Sequence, residues 1–132
     1  MSPMNSDELL ITDEPIADAE AAPQPVGGAS GAVVVFWGVV RDLETGAKIA
    51  ALDYTAFRPM AEHQFRNILA EARERWPLQR VRVVHRLGVV AVGEASLLVR
   101  VESAHRAEAF AAAQFIINEL KQRVPIWKET VA

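Results

Sequence analysis

Cysteine is absent from the 132-residue chain. Its absence excludes disulfide bonds, thiolate metal sites and a cysteine nucleophile, so any sulfur chemistry must use sulfur brought by another molecule. The histidines, His63, His85 and His105, lack the spacing of a metal-binding pair, and no Walker loop or dinucleotide-binding glycine pattern is present. Ser96 and Ser103 lack the context of a nucleophile elbow. The sequence therefore predicts neither a bound metal nor another cofactor.

Long apolar runs are also absent. No segment approaches the roughly 20 apolar residues that span a bilayer, and the N-terminus lacks a basic region followed by an apolar stretch. With 51% hydrophobic residues, the chain can still bury a core. These features predict a soluble cytoplasmic protein. We expect residues 31–132 to form one α+β domain, after an acidic strand and a variable connection in residues 1–30.

Lysine and arginine are missing from residues 1–30, which carry the six acids Asp7, Glu8, Asp13, Glu14, Asp18 and Glu20. The remainder holds 14 basic and 11 acidic residues, so the net charge of −3 divides into −6 for the first segment and +3 for the rest. There is no Lys/Arg-rich stripe with interleaved aromatic residues. This balance favours a local anion site over a nucleic-acid surface.

Hydrophobic periodicity and turn residues predict six strands and two helices. The predicted strands are 9–12 at a sheet edge, 32–40, 49–57, 80–90, 96–102 and 125–131. The predicted helices are 59–76, with Pro59 in its first turn, and 104–122, with Ser103 as its N-cap. A polar loop over 42–48 is expected to turn at Gly46.

Each predicted helix carries an apolar stripe that should face the core. The first stripe is Phe65, Ile68, Leu69, Ala72 and Trp76, and the second is Phe110, Ala113, Ile117, Leu120 and Val124. The outer face of the first helix offers ion pairs four residues apart, Glu62 with Arg66 and Glu71 with Arg75, which predict a solvated surface. His85 lies within a strand and is interpreted as a structural histidine.

Two lysines flank the break between the second helix and the last strand. Lys121 and Lys128 lie on either side of the apolar segment 124–127. Because an ammonium group is costly to desolvate, two of them beside apolar residues suggest the wall of a pocket; snorkelling surface lysines are the alternative. Arg41, which follows the strand 32–40, is a further cation at the end of an element, where sites commonly form.

His105 and Arg106 stand at the start of the second helix. Exposed N–H groups and the helix dipole favour a phosphate there, whereas a surface arginine and a self-capping imidazole are the alternative. The 16 residues from His105 to Lys121 span roughly 24 Å of helix, too far for one small ligand in one chain. If both serve one site, a two-fold dimer must bring the start of one helix near the end of its mate. We therefore predict a homodimer with composite sites.

A series of short motifs follows a fixed order along the chain: Gly31–Phe36, Gly38–Arg41, Leu52–Tyr54, Met60–Ala61, His85–Gly88, Gly93–Glu94, Ser103–Arg106, Ala109–Phe110, Leu120–Lys121 and Pro125–Glu129. Together they resemble the large, catalytic subunit of molybdopterin synthase. The resemblance covers about residues 31–129, and the ordered set is far more specific than any one motif. The chain departs from the pattern at Thr55, where relatives often carry an acid.

The resemblance implies a hammerhead-type α+β fold with a mostly antiparallel sheet, and a homodimer whose ends each bind a small ubiquitin-like sulfur carrier, giving a heterotetramer. The carrier ends in a Gly-Gly thiocarboxylate. Two sulfurs would pass to cyclic pyranopterin monophosphate (precursor Z), forming the dithiolene of molybdopterin in molybdenum cofactor biosynthesis.

By motif match, Lys121 and Lys128 are the catalytic lysines, while Arg41, His105 and Arg106 hold the phosphate-bearing pterin. We interpret Lys121 as the acid/base group and Lys128 as the electrostatic stabiliser. The alternative function is a non-catalytic module that docks a ubiquitin-like protein or a phosphorylated metabolite. Such a module would need an anion patch but not both lysines.

Overall fold

The computed structural model describes residues 4–5, 8–21 and 27–132. Its strands are β1 Met4–Asn5, β2 Leu9–Thr12, β3 Ala32–Val39, β4 Leu43–Glu44, β5 Ala47–Lys48, β6 Ala51–Ala56, β7 Leu78–Arg86, β8 Gly88–Ala91, β9 Ala95–Ser103 and β10 Ile126–Val131. The helices are α1 Arg58–Arg75 and α2 Arg106–Arg123, and a short 3₁₀ turn spans Asp18–Glu20. Two long helices with separate sheets make the α+β fold that the sequence predicts.

The strands form three sheets. The largest has the order β1-β2-β7-β9-β3, the second has the order β10-β6-β8, and β4 and β5 pair only with each other. All pairings are antiparallel except that of β2 with β7. The expectation that β2 lies at a sheet edge is wrong, because β1 pairs along its outer side. The mostly antiparallel character is confirmed.

The core lies between the five-stranded sheet and the two helices. On α1, the predicted stripe is confirmed: Phe65, Ile68, Leu69 and Ala72 are fully buried, and Trp76 packs against them. Pro59 occupies the first turn of α1, as predicted. Opposite them, alternate residues of β7 and β9, such as Val81 and Val83 or Val99 and Val101, close the core.

The predicted stripe of α2 is partly wrong. Phe110 is 61% exposed, and the buried residues are Ala109, Ala112, Ala113, Ile116 and Leu120. An alanine face lets the helix backbone come close to β9 and α1, and this close packing outweighs the larger area that Phe110 would bury. Ala113, Leu120 and Val124 of the predicted stripe are buried as expected, whereas Phe110 is exposed and Ile117 is only partly buried.

The N-terminus of α2 also differs from the prediction. Ser103 still belongs to β9, where it pairs with Ala32 and is fully buried. The helix begins at Arg106 with His105 as its N-cap residue, and no side chain caps it. Ser103 instead accepts a hydrogen bond on Oγ from the N–H of His105, at 3.4 Å. The continuing strand pairing displaces the helix start by two residues.

The predicted strand 80–90 is two strands. Val81, Val83, His85 and Leu87 are all buried, as the alternation predicts. Gly88, however, has a φ of +85° and redirects the chain from the five-stranded sheet into β8 of the second sheet. A positive φ is inexpensive only for glycine, so the sheet switch depends on this position.

The predicted loop 42–48 is a small β-hairpin. Strands β4 and β5 pair with each other, and the two residues between them, Thr45 and Gly46, have φ values of 49° and 81°. Positive φ at both central positions is typical of the type I′ turn that suits a two-residue hairpin. The predicted turn at Gly46 is confirmed, and the residues on either side of it form paired strands where a loop was expected.

One ion pair on α1 has a different partner from the one predicted. Glu62 pairs with Arg66 as expected, but Glu71 accepts a bond from Arg123 of α2, with 2.6 Å between Oε2 and Nη2. The Arg75 guanidinium instead lies 4.5 Å from the centre of the Phe115 ring. The outer face of α1 is therefore not only solvated, because its Glu71 also links the C-terminal ends of the two helices through an ion pair.

The acids of the N-terminal segment pair with arginines of the body. Glu8 binds Arg73, Asp13 binds Arg58 at 2.8 Å, and Glu20 binds Arg82 at 2.8 Å. The hydrogen bonds from Arg82 hold the pKa of Glu20 below its usual range, against the opposing effect of burial. Segment 8–20 is thus attached to the sheet and to α1 by opposite charge.

We predict that Gly31→Ala destabilises the protein by about 1–3 kcal/mol, the usual cost of overpacking. A Cβ at Gly31 would lie 2.4 Å from the carbonyl oxygen of Ala104, a backbone atom just before α2. Urea unfolding followed by circular dichroism measures the change. Gly28→Ala is the matched control, because a Cβ there meets nothing within 4 Å. Equal stability of the two variants would contradict the prediction.

Candidate active site

An open cleft of about 710 Å³ lies where the ends of β3, β6 and α2 meet the β4–β5 hairpin and β10. Three of the five predicted site residues, Arg41, Lys121 and Lys128, line it. Its other walls are largely apolar, and its polar lining residues are Glu44, Tyr54, His85 and Ser96. Three cations beside apolar side chains suit an anionic ligand with an uncharged body.

Lys121 reaches the cleft from the last turn of α2. Leu120 is buried beneath it, and the helix ends at Val124, whose N–H bonds to the Leu120 carbonyl at 3.1 Å. Val124 has extended dihedrals, as a residue before proline prefers, and Pro125 cannot continue the helix. The chain therefore turns back, and Lys121 and Lys128 lie on the two arms of this turn.

Lys128 is directed into the cleft by the register of β10 on β6. Lys128 pairs with Tyr54, and Ile126 pairs with Ala56. Because alternate residues of a strand point to the same face, Ile126 and Lys128 share a face with Leu52 and Tyr54. All four of these residues line the cleft.

Arg41 is positioned by an irregular end of β3. The register with β9 shifts between Gly38 and Val39, as in a β-bulge. Val40 is then buried and exchanges backbone hydrogen bonds with Gly93 and Glu94, at 2.9 and 3.0 Å. With Val40 fixed in this way, the next residue, Arg41, lies exposed at the rim of the cleft.

Glu44 is a cleft residue that sequence reasoning missed. Its Oε1 lies 3.2 Å from Nζ of Lys128, and its side chain is 18% exposed against 51% for the lysine. The sequence predicts a polar loop at this position. Only the two-residue turn Thr45-Gly46 between residues 43–44 and 47–48 could have indicated a hairpin, in which the Glu44 side chain would point to one fixed face.

The floor of the cleft contains a buried histidine. Nδ1 of His85 lies 3.0 Å from the Arg86 carbonyl, and the ring packs edge-on against Tyr54 with centroids 5.5 Å apart. Burial lowers the pKa of His85 to about 4, so the ring is neutral and donates from Nδ1. Ser96 donates from Oγ to the Tyr54 hydroxyl at 3.1 Å. A packed histidine agrees with the structural interpretation.

His105 and Arg106 do not line this cleft. Both are exposed at the opposite end of α2, where the 16 residues from His105 to Lys121 span roughly 24 Å of helix. Within one chain the structure thus brings together Arg41, Lys121 and Lys128, and leaves the other two predicted residues apart.

The sequence profile of the MoaE protein family matches residues 11–123. The chain belongs to the MoaE family. Curated family members named molybdopterin synthase catalytic subunit include one from Bos taurus, 39% identical over 96% of this chain and 67% of its own length, and one from Vibrio cholerae, 48% identical over 78% of this chain and 69% of its own.

Solved structures of MoaE proteins share the fold. Molybdopterin synthase from Staphylococcus aureus superposes with a TM-score of 0.84 and 37% identity, covering 92% of this chain and 88% of that one. A protein–protein complex of subunits 1 and 2 of molybdopterin-converting factor from Helicobacter pylori gives a TM-score of 0.66 at 25% identity, covering 77% of this chain and 66% of that one. The predicted family and fold are confirmed.

We predict that His85 makes this MoaE chain less stable as the pH falls from 6.5 towards 4. The ring titrates at about 6.5 when unfolded and at about 4 when folded, so over this window the unfolded state binds the extra proton. The resulting loss approaches about 3 kcal/mol at the acid end.

Urea unfolding at pH 7.0 and 4.5 tests this loss in the parent chain and in His85→Gln. The pH-dependent fall should be smaller in the variant by roughly 2–3 kcal/mol, whatever its stability at pH 7. The carboxylates contribute equally to both proteins and cancel in the difference. Parallel pH profiles would show that His85 is protonated as readily in the folded state as in the unfolded state.

Proposed function

We propose that this chain is the catalytic subunit of a molybdopterin synthase. It transfers two sulfurs from a thiocarboxylated, ubiquitin-like carrier to cyclic pyranopterin monophosphate, forming the dithiolene of molybdopterin. The observation that carries the proposal is the convergence of Lys121 and Lys128 on one cleft in a chain of the MoaE family. The chain has only three lysines, and the third, Lys48, lies outside the cleft lining.

The carrier is proposed to insert its C-terminal Gly-Gly segment into the cleft. Glycines have no side chain, so an extended tail of this kind fits between the hairpin and the α2–β10 turn with its anionic end towards the lysines. The Helicobacter pylori complex, which contains two subunits of one converting factor, supports a small partner subunit. Two such pairs related by a two-fold axis would form a heterotetramer.

The lysines are proposed to share the chemistry. The thiocarboxylate sulfur would bond to a side-chain carbon of the pterin and replace an oxygen substituent, which leaves with a proton. Water would then attack the acyl carbon, so that the C–S bond to the carrier breaks, the sulfur stays on the pterin and the carrier is left with a carboxylate. Negative charge develops on the acyl oxygen during this attack. Lys128, fixed by β10, would stabilise that charge, since a positioned cation needs no reorganisation as the charge develops. Lys121, in the last turn of α2, would carry the proton.

The phosphate-bearing pterin is proposed to lie across two protomers. Arg41 offers a guanidinium at the cleft rim, and His105 and Arg106 of the second copy offer the positive end of α2. The separation of the two ends of α2 within one chain supports this division, because one small substrate cannot reach both. A homodimer therefore completes each site.

A cytoplasmic location is proposed for this biosynthetic role. Neither α1 nor α2, the two long helices of the described residues, is sufficiently long and apolar to cross a membrane.

We expect Lys121→Ala and Lys128→Ala each to lower dithiolene formation by at least about 100-fold, the usual scale for losing an acid/base group or a charge-stabilising donor. The assay mixes the protein with thiocarboxylated carrier and cyclic pyranopterin monophosphate and follows the product. Lys48→Ala is the matched control, because it removes the same charge from the outside of the hairpin, and it should retain parental turnover.

Carrier binding by each variant separates the two functions under consideration. Loss of turnover with binding retained supports the enzyme. Carrier binding by the parent chain without any dithiolene product would leave only the docking module.

Mixing two inactive variants tests the composite site. A Lys121→Ala chain and an Arg106→Ala chain, allowed to exchange subunits, should recover about a quarter of the parental activity, because half of the dimers are mixed and each mixed dimer has one intact site. If all site residues came from one chain, every site would carry a defect and mixing would restore nothing. Mixing either variant with itself is the control.

A further inference from the structure

Glu44 is the one acid among the described residues that line the cleft. Its carboxylate faces the lysine that the proposed function assigns to the carrier's anionic end, with 3.2 Å between Oε1 and Nζ of Lys128. Lys128, which would have to bind the carrier's anionic end, is therefore already paired with the Glu44 carboxylate. The proposed chemistry gives no role to this acid.

The position of Glu44 is set by the hairpin and not by the lysine. The Thr45-Gly46 turn and the pairing of Leu43 with Lys48 hold β4 in place, and the Ile49 N–H closes the base of the hairpin on the Asp42 carbonyl at 2.9 Å. Ile49 is buried in a small apolar cluster with Val40, Leu52 and Val90, and this cluster anchors the base of the hairpin. The glutamate side chain is mostly covered, whereas half of Lys128 is exposed.

We propose that Glu44 competes with the carrier's C-terminal anion for Lys128; this inference rests on the proposed function. The two carboxylates would hydrogen-bond to the same Nζ and so lie within a few ångströms of each other, where like charges repel. Binding of the tail must displace Glu44 from Lys128 or tolerate that repulsion.

The competition lowers the affinity of the chain for the carrier tail both before and after sulfur transfer. The spent carrier ends in a carboxylate, which is also an anion, and Glu44 recaptures Lys128 as that carboxylate leaves. The residue therefore limits affinity in a way that favours release of the spent carrier and entry of a recharged one.

The test measures the affinity of a ubiquitin-like carrier with an ordinary Gly-Gly carboxylate for the full chain by isothermal titration calorimetry at low salt. Glu44→Gln should lower the Kd by about two- to fivefold, the range expected for one partly exposed ion pair. The gain should shrink at high salt, because screening weakens both the repulsion and the ion pair. The KM for thiocarboxylated carrier should fall by a similar factor.

Three controls make the result specific. Glu129→Gln removes the same charge one residue from Lys128, but on the opposite face of β10, and should leave the Kd unchanged. In a Lys128→Ala background, Glu44→Gln should give a much smaller gain, because the shared cation is gone. A carrier lacking its two terminal glycines should bind both proteins equally.

Unchanged or weaker binding by Glu44→Gln, or an equal gain in Glu129→Gln, would overturn the inference. Its failure is distinct from that of the proposed function. If the parent chain makes product and Glu44→Gln binds no more tightly, only the inference is wrong. If the parent chain makes no product but Glu44→Gln binds more tightly, the competition for Lys128 is real and the enzymatic proposal is wrong.

Discussion

The cleft depends on one backbone constraint, the proline that follows α2. Pro125 has no N–H and disfavours helical dihedrals at Val124, so the helix must end there and the chain must leave extended. The carbonyl of Pro125 accepts the Phe57 N–H at 3.4 Å, which starts the pairing of β10 with β6. That pairing fixes the direction of Lys128, and Leu120, which is buried in the last turn of α2, fixes that of Lys121. Two lysines seven residues apart thereby come to face one cavity.

The acids of the N-terminal segment pair with arginines that lie outside the cleft. The body is basic by composition, but Arg58, Arg73 and Arg82 are paired with acids of the N-terminal segment. These pairs lie on α1 and the five-stranded sheet, outside the residues that line the cleft. A polyanion would therefore meet few unpaired arginines on those surfaces. The pairing explains why a net excess of base in residues 31–132 does not produce a broad basic surface.

Sequence reasoning was most successful where one physical signal dominated. The stripe of α1 followed from periodicity alone, and Pro59 marked the start of α1. It failed where two signals competed. Phe110 is more hydrophobic than Ala109, but close helix packing favours the smaller residue in the core. Ser103 is a good N-cap residue, but its pairing with Ala32 keeps it in strand β9.

The sequence identified only those cleft residues that belong to a recognisable motif or stand at the end of a predicted element. Arg41, Lys121 and Lys128 were identified as cations at the ends of elements, and the structure places them together. Glu44 was not identified, because its relevance arises from a contact between residues 84 positions apart in the chain. No local pattern encodes that contact. It depends on the register of β10 and on the turn of the hairpin, each of which is set by different residues.

Under the proposed function a single chain leaves its own site unfinished, and the reason is solvation. Lys121 and Lys128 are both exposed, so water competes with any oxyanion for their ammonium groups. A preorganised cation stabilises developing charge strongly only where water is excluded. The cleft that these lysines line is open to solvent. Under the proposed function, the carrier tail and the second protomer provide that cover. Assembly would then be part of catalysis, since it removes the solvent that makes the lysines weak in isolation.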